Sequence, residues 1–174
     1  MFQKFYPSHY VDSAYQIAYE KLFQQGYRGI IFDIDNTLVP HGADASQQAI
    51  ELMNRIRKLG FSVCFISNND EERVSRFNRE IRAKYVYKAN KPSTKNYIKA
   101  IEFLGTTKET TFFVGDQIFT DVFGANRAGI TSFLVKPINK HEEIQIILKR
   151  RLEWIVLKCY KRKLRKDRLK EEKR

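Results

Sequence analysis

Five short apolar runs in this chain carry no regular polar alternation, and segments of helical periodicity separate them. They are Gly29-Ile30-Ile31-Phe32-Asp33, 61–67, Tyr85-Val86-Tyr87, Thr111–Gly115 and Thr131–Val135. A strand with one solvated face alternates apolar and polar residues, whereas a continuously apolar strand is covered on both faces. Strands of the second kind, alternating with helices, build a parallel sheet sandwiched between helical layers. The expected fold is therefore α/β: a doubly wound, Rossmann-like parallel sheet of about five strands with helices on both faces. Helices are expected over 45–59, ended by Gly60, over 71–82 with Asp70 as cap, over 93–104, ended by Gly105, and over 121–128. An earlier amphipathic helix is expected from Ser13, its cap, to about Gly26, with Ala14, Ile17, Ala18, Leu22 and Phe23 at helical spacing.

In a parallel sheet the carboxyl ends of the strands share one edge, and ligands bind beyond that edge. The first run passes directly into Asp33-Ile34-Asp35-Asn36-Thr37. Two carboxylates at this spacing can divide phosphoryl transfer: one attacks phosphorus, the other protonates the leaving oxygen and later activates water. Surface acids two residues apart are common, so the apolar strand before them is what makes the pair informative. The second run ends at Ser67-Asn68. There a hydroxyl and backbone N–H groups can hold a phosphoryl oxygen, although a turn and helix cap over 67–70 explains the same residues. Lys91-Pro92 follows the third run, and its ammonium can neutralise a phosphate or a carboxylate as a point charge. The fourth run ends Gly115-Asp116-Gln117-Ile118-Phe119-Thr120-Asp121. Gly115 allows close backbone approach, and Asp116 with Asp33 makes the sparse carboxylate site that Mg²⁺ prefers. A capped turn explains Asp121 alone but not the ordered set. Acid pair, serine, lysine and second acid pair at four successive strand ends point to a phosphoryl-transfer site.

On these residues the chain resembles the haloacid dehalogenase (HAD) superfamily over about 27–135. DxDx[TV] matches Asp33 to Thr37, the second motif Ser67, the third Lys91-Pro92, and GDxxxxD matches Gly115-Asp116 through Asp121. The resemblance implies that Asp33 is the nucleophile forming an aspartyl-phosphate and Asp35 the general acid/base. It implies that Asp33, the backbone carbonyl of Asp35, and Asp116 bind Mg²⁺ with support from Asp121. Thr37, Ser67, Asn68 and Lys91 are the candidates for holding the phosphoryl group. Thirty-one residues separate Asp35 from Ser67 and 23 separate Ser67 from Lys91, too few for an inserted cap domain. Within the superfamily the chain is similar to the subclass IIIA, YqeG-type phosphatases. The cues are Pro7-x-x-Tyr10-Val11, the run Gly29 through Val39, and the capless core. That group resembles phosphatidylglycerophosphate phosphatases, which implies dephosphorylation of phosphatidylglycerophosphate.

The +12 charge is unevenly spread: 13 Lys/Arg and 4 Asp/Glu lie in 149–174, which therefore carries +9. The chain divides by expectation into an aromatic, helical segment (1–28), a HAD-like core (29–140) and a basic amphipathic tail (141–174). Such a tail suits peripheral contact with an anionic membrane, the partner expected for a phospholipid substrate. It also suits nucleic acid, because counterion release rewards any polyphosphate. An RNA- or ribosome-associated HAD-fold binding protein is accordingly the alternative function, and a general or protein phosphatase is a third that an open site permits. Cys64, in an apolar run, and Cys159 do not make a disulfide framework. The first 30 residues hold no apolar signal core, and no stretch approaches the ~20 apolar residues of a membrane span. A cytoplasmic setting is expected.

Overall fold

The computed structural model describes residues 3–139 and 144–171, with side chains in the last segment described for 152–170. The expected division at 140/141 and Phe2 of the aromatic segment lie outside the described residues, as do the side chains of Ile144, Ile147 and Leu148. Among the described residues six parallel strands form one sheet: β1 (His9–Val11), β2 (Gly29–Phe32), β3 (Ser62–Ile66), β4 (Lys84–Val86), β5 (Thr111–Gly115) and β6 (Thr131–Val135). Their order is β1-β6-β5-β2-β3-β4. From β2 the chain winds outward through β3 and β4, then returns to the other side of β2 with β5 and β6. The direction reverses between β2 and β5, so the crevice of the sheet opens beyond Phe32 and Gly115.

Four of the five runs read as buried on both faces are largely so. The third forms the edge strand β4, where Val86 is buried but the following Tyr87 is exposed. Ile30 and Phe32 point into one core with Phe65, Phe112, Val114 and Phe133. That core is closed by α1 (Tyr19–Gln24), α2 (Gln47–Lys58) and α3 (Glu71–Ile81). Ile31, Cys64, Ile66 and Phe113 point the opposite way, against α4 (Lys95–Leu104) and α5 (Phe123–Ala128). Cys64 is buried and free, and that burial pushes its thiol up to about 12. A sixth helix, α6 (Ile144–Glu171), sets Val156 and Leu157 against Ile118, Val122 and Leu134, and its Tyr160 ring lies beside Tyr6.

Two local expectations were altered by tertiary contacts. The helix expected from Ser13 is a 3-10 turn, Ala14–Gln16, then an extended Ile17 and the short α1. The break lets Tyr19 lie fully buried with its hydroxyl donating to Ala14 O at 2.7 Å. The helix expected from Asp121 is preceded by a wide π turn, Ile118–Val122, before α5 begins at Phe123.

Asp70 caps α3 as expected, its carboxylate accepting from Arg73 N at 2.9 Å. Asp70→Ala is expected to cost about 1 kcal/mol in urea unfolding, the usual value of an N-cap.

Candidate active site

Asp33 continues β2 by one step, its N–H donating to Val114 O at 2.9 Å, so the carboxylate stands at the crevice between β2 and β5. The chain then turns sharply. Asn36 adopts a left-handed conformation (φ 63°), which asparagine tolerates better than most residues. Its N–H reaches Val39 O at 2.7 Å, while Leu38 N–H returns to Ile34 O at 2.9 Å. This turn buries Thr37, whose hydroxyl lies 3.2 Å from Asp33 Oδ2 and 3.4 Å from Asp116 Oδ1.

Lys91 crosses beneath the site. Its Nζ lies 2.5 Å from Asp33 Oδ1 and 2.7 Å from Asp121 Oδ1, with only 4% of the side chain exposed. Asn68 clamps the backbone behind it, Oδ1 accepting from Lys91 N at 2.7 Å. Ser67 Oγ, at the end of β3, accepts from Asn69 N at 3.2 Å. Gly115 earns its place sterically: a Cβ there would stand 2.5 Å from Asp121 Oδ2. That same oxygen accepts from Gln117 N at 3.0 Å, and Tyr97 of α4 supports the turn by donating to Thr120 O at 2.9 Å.

Asp35 is held by three donors. Gly42 N, Asn69 Nδ2 and Arg73 Nη2 each donate to it at 2.7 to 2.8 Å, and His41 Nδ1 stands 3.8 Å away. Asp33, Asp35, Ser67, Asn68 and Lys91 line a single cavity of about 100 Å³, joined by His41, Asn69, Gln117 and Thr120. Of the expected site residues, Asp116, Asp121 and Thr37 lie behind that lining, buried. Sequence reasoning missed Asn69, Arg73 and the 41–42 loop, none of which ends a strand.

Burial is the largest influence on Asp33 and raises its carboxyl, Lys91 opposes the rise, and Asp121 adds to it. One ammonium is shared between two carboxylates, so Asp33 stays above the ordinary carboxyl range. Burial alone would depress Lys91, but Asp121 and Asp33 outweigh it and hold the ammonium above the usual lysine range. Oxygens of Asp33, Asp116 and Asp121 come within 4.8 Å of one another. Three carboxylates facing one ammonium leave two negative charges when ionised, and hard oxygen donors with that surplus fit a divalent cation such as Mg²⁺.

Residues 88–145 match the HAD-hydrolase-like family. A relative described as probable phosphatase YqeG, from Bacillus subtilis, is 35% identical over 165 residues, spanning 94% of this chain and 96% of that protein. Phosphatidylglycerophosphate phosphatase 1, chloroplastic/mitochondrial, from Arabidopsis thaliana, is 28% identical over 158 residues. That match covers 84% of this chain but only 45% of the plant protein. Among solved structures, the HAD-hydrolase YfnB from Bacillus subtilis, bound to magnesium, has a TM-score of 0.52 at 12% identity, covering 68% of this chain and 91% of that one. At that identity the likeness speaks for the fold.

Proposed function

The chain belongs to the HAD hydrolases and, within them, to the YqeG-type phosphatases, and from that premise we propose a Mg²⁺-dependent reaction through an aspartyl-phosphate on Asp33. The observation that carries this reading is the buried Lys91 bridging Asp33 and Asp121 beside Asp116, at the base of a cavity large enough for a phosphoryl group. Asp33 Oδ attacks phosphorus while the ester P–O bond breaks, and Asp35 gives its proton to the leaving alkoxide. Asp35, now a carboxylate, takes a proton from water as the water oxygen attacks phosphorus. The bond to Asp33 breaks and inorganic phosphate leaves. Lys91 and Ser67 hold the non-bridging oxygens. Asp33, Asp116 and the carbonyl of Asp35 would hold Mg²⁺, with Asp121 in support. Bound there, the cation would offset the repulsion between the carboxylates and the phosphate dianion. Magnesium binding by YfnB, a fold relative, favours the same ion.

The substrate proposed is a phospholipid monoester, phosphatidylglycerophosphate. No inserted domain roofs the cavity, because only α2 lies between β2 and β3 and only α3 between β3 and β4. The alcohol part of the substrate therefore lies outside it. The plant relative's name favours the lipid, and so does α6. There Lys158, Lys161, Arg162, Lys163, Arg165, Lys166, Arg168 and Lys170 are exposed beside Trp154, Leu164 and Leu169. Each basic residue near an anionic leaflet contributes about 1 kcal/mol, so a few engaged residues hold the protein there. None of the described helices is long and apolar enough to cross a membrane.

The test is phosphate release from vesicles containing phosphatidylglycerophosphate against a panel of soluble phosphomonoesters, with Asp33→Asn as blank. The lipid is expected to exceed soluble aryl phosphates at least about tenfold in kcat/KM, a modest differential binding of the transition state. Turnover of soluble phosphosugars, nucleotides or phosphopeptides alone would remove the lipid assignment. Salt-sensitive RNA binding that survives Asp33→Asn would favour the nucleic-acid alternative.

A further inference from the structure

The loop that carries Asp116 and Asp121 is held from outside the four strand-end motifs. Between those two residues the chain enters the π turn Ile118–Val122, whose first N–H groups have no partner within the turn. Two carboxylates supply acceptors. Asp121 Oδ2 accepts from Gln117 N at 3.0 Å, and Glu153 Oε1 of α6 accepts from Ile118 N at 2.7 Å. Glu153 lies 35 residues away in sequence and is 5% exposed. It is followed on the same helical face by Val156 and Tyr160, both buried, with Val156 packed against Ile118, Val122 and Leu134. Glu153 and Asp116 line one small cavity, with Tyr10, Pro137, Trp154 and Leu157 around them.

We propose that Glu153 is a positioning residue of the metal site: its carboxylate fixes the Ile118 amide, and through it the path of the chain from Asp116 to Asp121. The position of Asp116 follows from that path because two covalent steps separate it from Ile118, and Asp121 is tied to the same turn through Gln117 N. A carboxylate bridging a remote helix to the backbone of a ligand loop does for that loop what a hydrogen-bonded partner does for a metal-ligating side chain. Helix α6 is thereby part of the phosphatase machinery and more than a basic appendage.

The inference rests on the proposed reading of Asp116 and Asp121 as the metal carboxylates, so Asp116→Asn is measured alongside. Mn²⁺ and Mg²⁺ affinities are read by titration calorimetry on the full chain, with thermal melts in parallel. Glu153→Leu, similar in size but without an acceptor, is expected to weaken cation binding about 10-fold or more, the range seen when such outer partners are lost. Glu153→Gln, which keeps an acceptor oxygen, is expected to stay within about threefold of wild type, while Glu153→Asp, too short to reach, should weaken binding as leucine does. Val156→Ala thins the same packing face without touching the hydrogen bond and is expected to lower the melting temperature with cation affinity unchanged.

Should Glu153→Leu fail to fold, the comparison of Glu153→Gln with Glu153→Asp decides the matter. Wild-type cation affinity in both Glu153→Leu and Glu153→Asp, alongside impaired Asp116→Asn, overturns the positioning role while leaving the metal reading intact. Loss in Glu153→Gln equal to that in Glu153→Leu overturns it as well, since charge and not the acceptor would then matter. Binding in Asp116→Asn as tight as in wild type, or no cation binding by the wild type, overturns the metal reading itself and this inference with it.

Discussion

Asp33→Asn is expected to lower kcat by at least about 10³-fold in a protein that still folds, because the substitution removes the nucleophile while keeping its shape. A carboxamide is a poor nucleophile toward phosphorus, yet it fills the same space, and its one oxygen can accept either from Lys91, 2.5 Å from Asp33 Oδ1, or from Thr37, 3.2 Å from Oδ2. Lys91 keeps its second partner, Asp121, at 2.7 Å. Fold and phosphate binding should therefore outlast turnover. Asp35→Asn separates the two acids. With an aryl phosphate, whose leaving group needs no proton, the first half-reaction should proceed and the second should stall. Acid-quenched Asp35→Asn is then expected to retain a covalently bound phosphoryl group that mass spectrometry places on Asp33, while Asp33→Asn retains none. More than about 1% of wild-type turnover in Asp33→Asn would rule out the covalent route, since loss of a true nucleophile costs several orders of magnitude.

The residues that could be read from sequence are those that end a long apolar strand. Asp33, Ser67 and Asp116 each follow a strand whose buried run marks its own end, and a parallel sheet then brings those ends together. Lys91 follows a weaker strand, yet it arrives at the same place because Asn68 holds its backbone. The edge strand β1 was not legible. His9-Tyr10-Val11 is too short for any periodicity, and its pairing with Phe133, Leu134 and Val135 is a register fixed only in three dimensions. The sheet thus has six strands where five were expected, and part of the N-terminal aromatic segment belongs to it. Arg73 could not be found either. It lies on the third residue of α3, where an arginine ordinarily faces solvent, but it donates to Asp35 at 2.8 Å and is largely buried. Its Nε and Nη1 find no acceptor among the described residues. Glu153 is similar: within a strongly basic helix one glutamate carries no signal, and only the packing of α6 gives it a backbone amide to hold.

Lys91→Met tests the charge balance on which the site depends. Methionine replaces the stem of the lysine at similar volume, so the change is close to deletion of one positive charge. In chelator, the variant leaves Asp33 and Asp121 without their cation, and both are almost fully enclosed: 10% and 1% of their side chains are exposed. Solvent screening is correspondingly weak, and removing one partner from such a buried network costs about 3–5 kcal/mol. For a chain of this size that lowers the melting temperature by roughly 10 °C. Proton uptake limits the loss, and its sign is fixed by the direction of the Asp33 shift. Burial already holds the Asp33 carboxyl at about 7, and losing Lys91 moves it higher. A carboxyl raised in the folded state binds more protons there than in the unfolded chain, so its contribution is full at acidic pH and fades as pH rises through the folded value. The gap between wild type and Lys91→Met should therefore be narrower near pH 5 and widen toward pH 8. A divalent cation held by the three carboxylates restores some of the missing charge, so Mg²⁺ should raise the melting temperature of the variant more than that of wild type. Turnover should remain at least about 10²-fold down even at saturating Mg²⁺, because a charge donor to the phosphoryl oxygens is still missing. Equal melting temperatures for variant and wild type in chelator at pH 8 would mean that Lys91 does not balance these carboxylates.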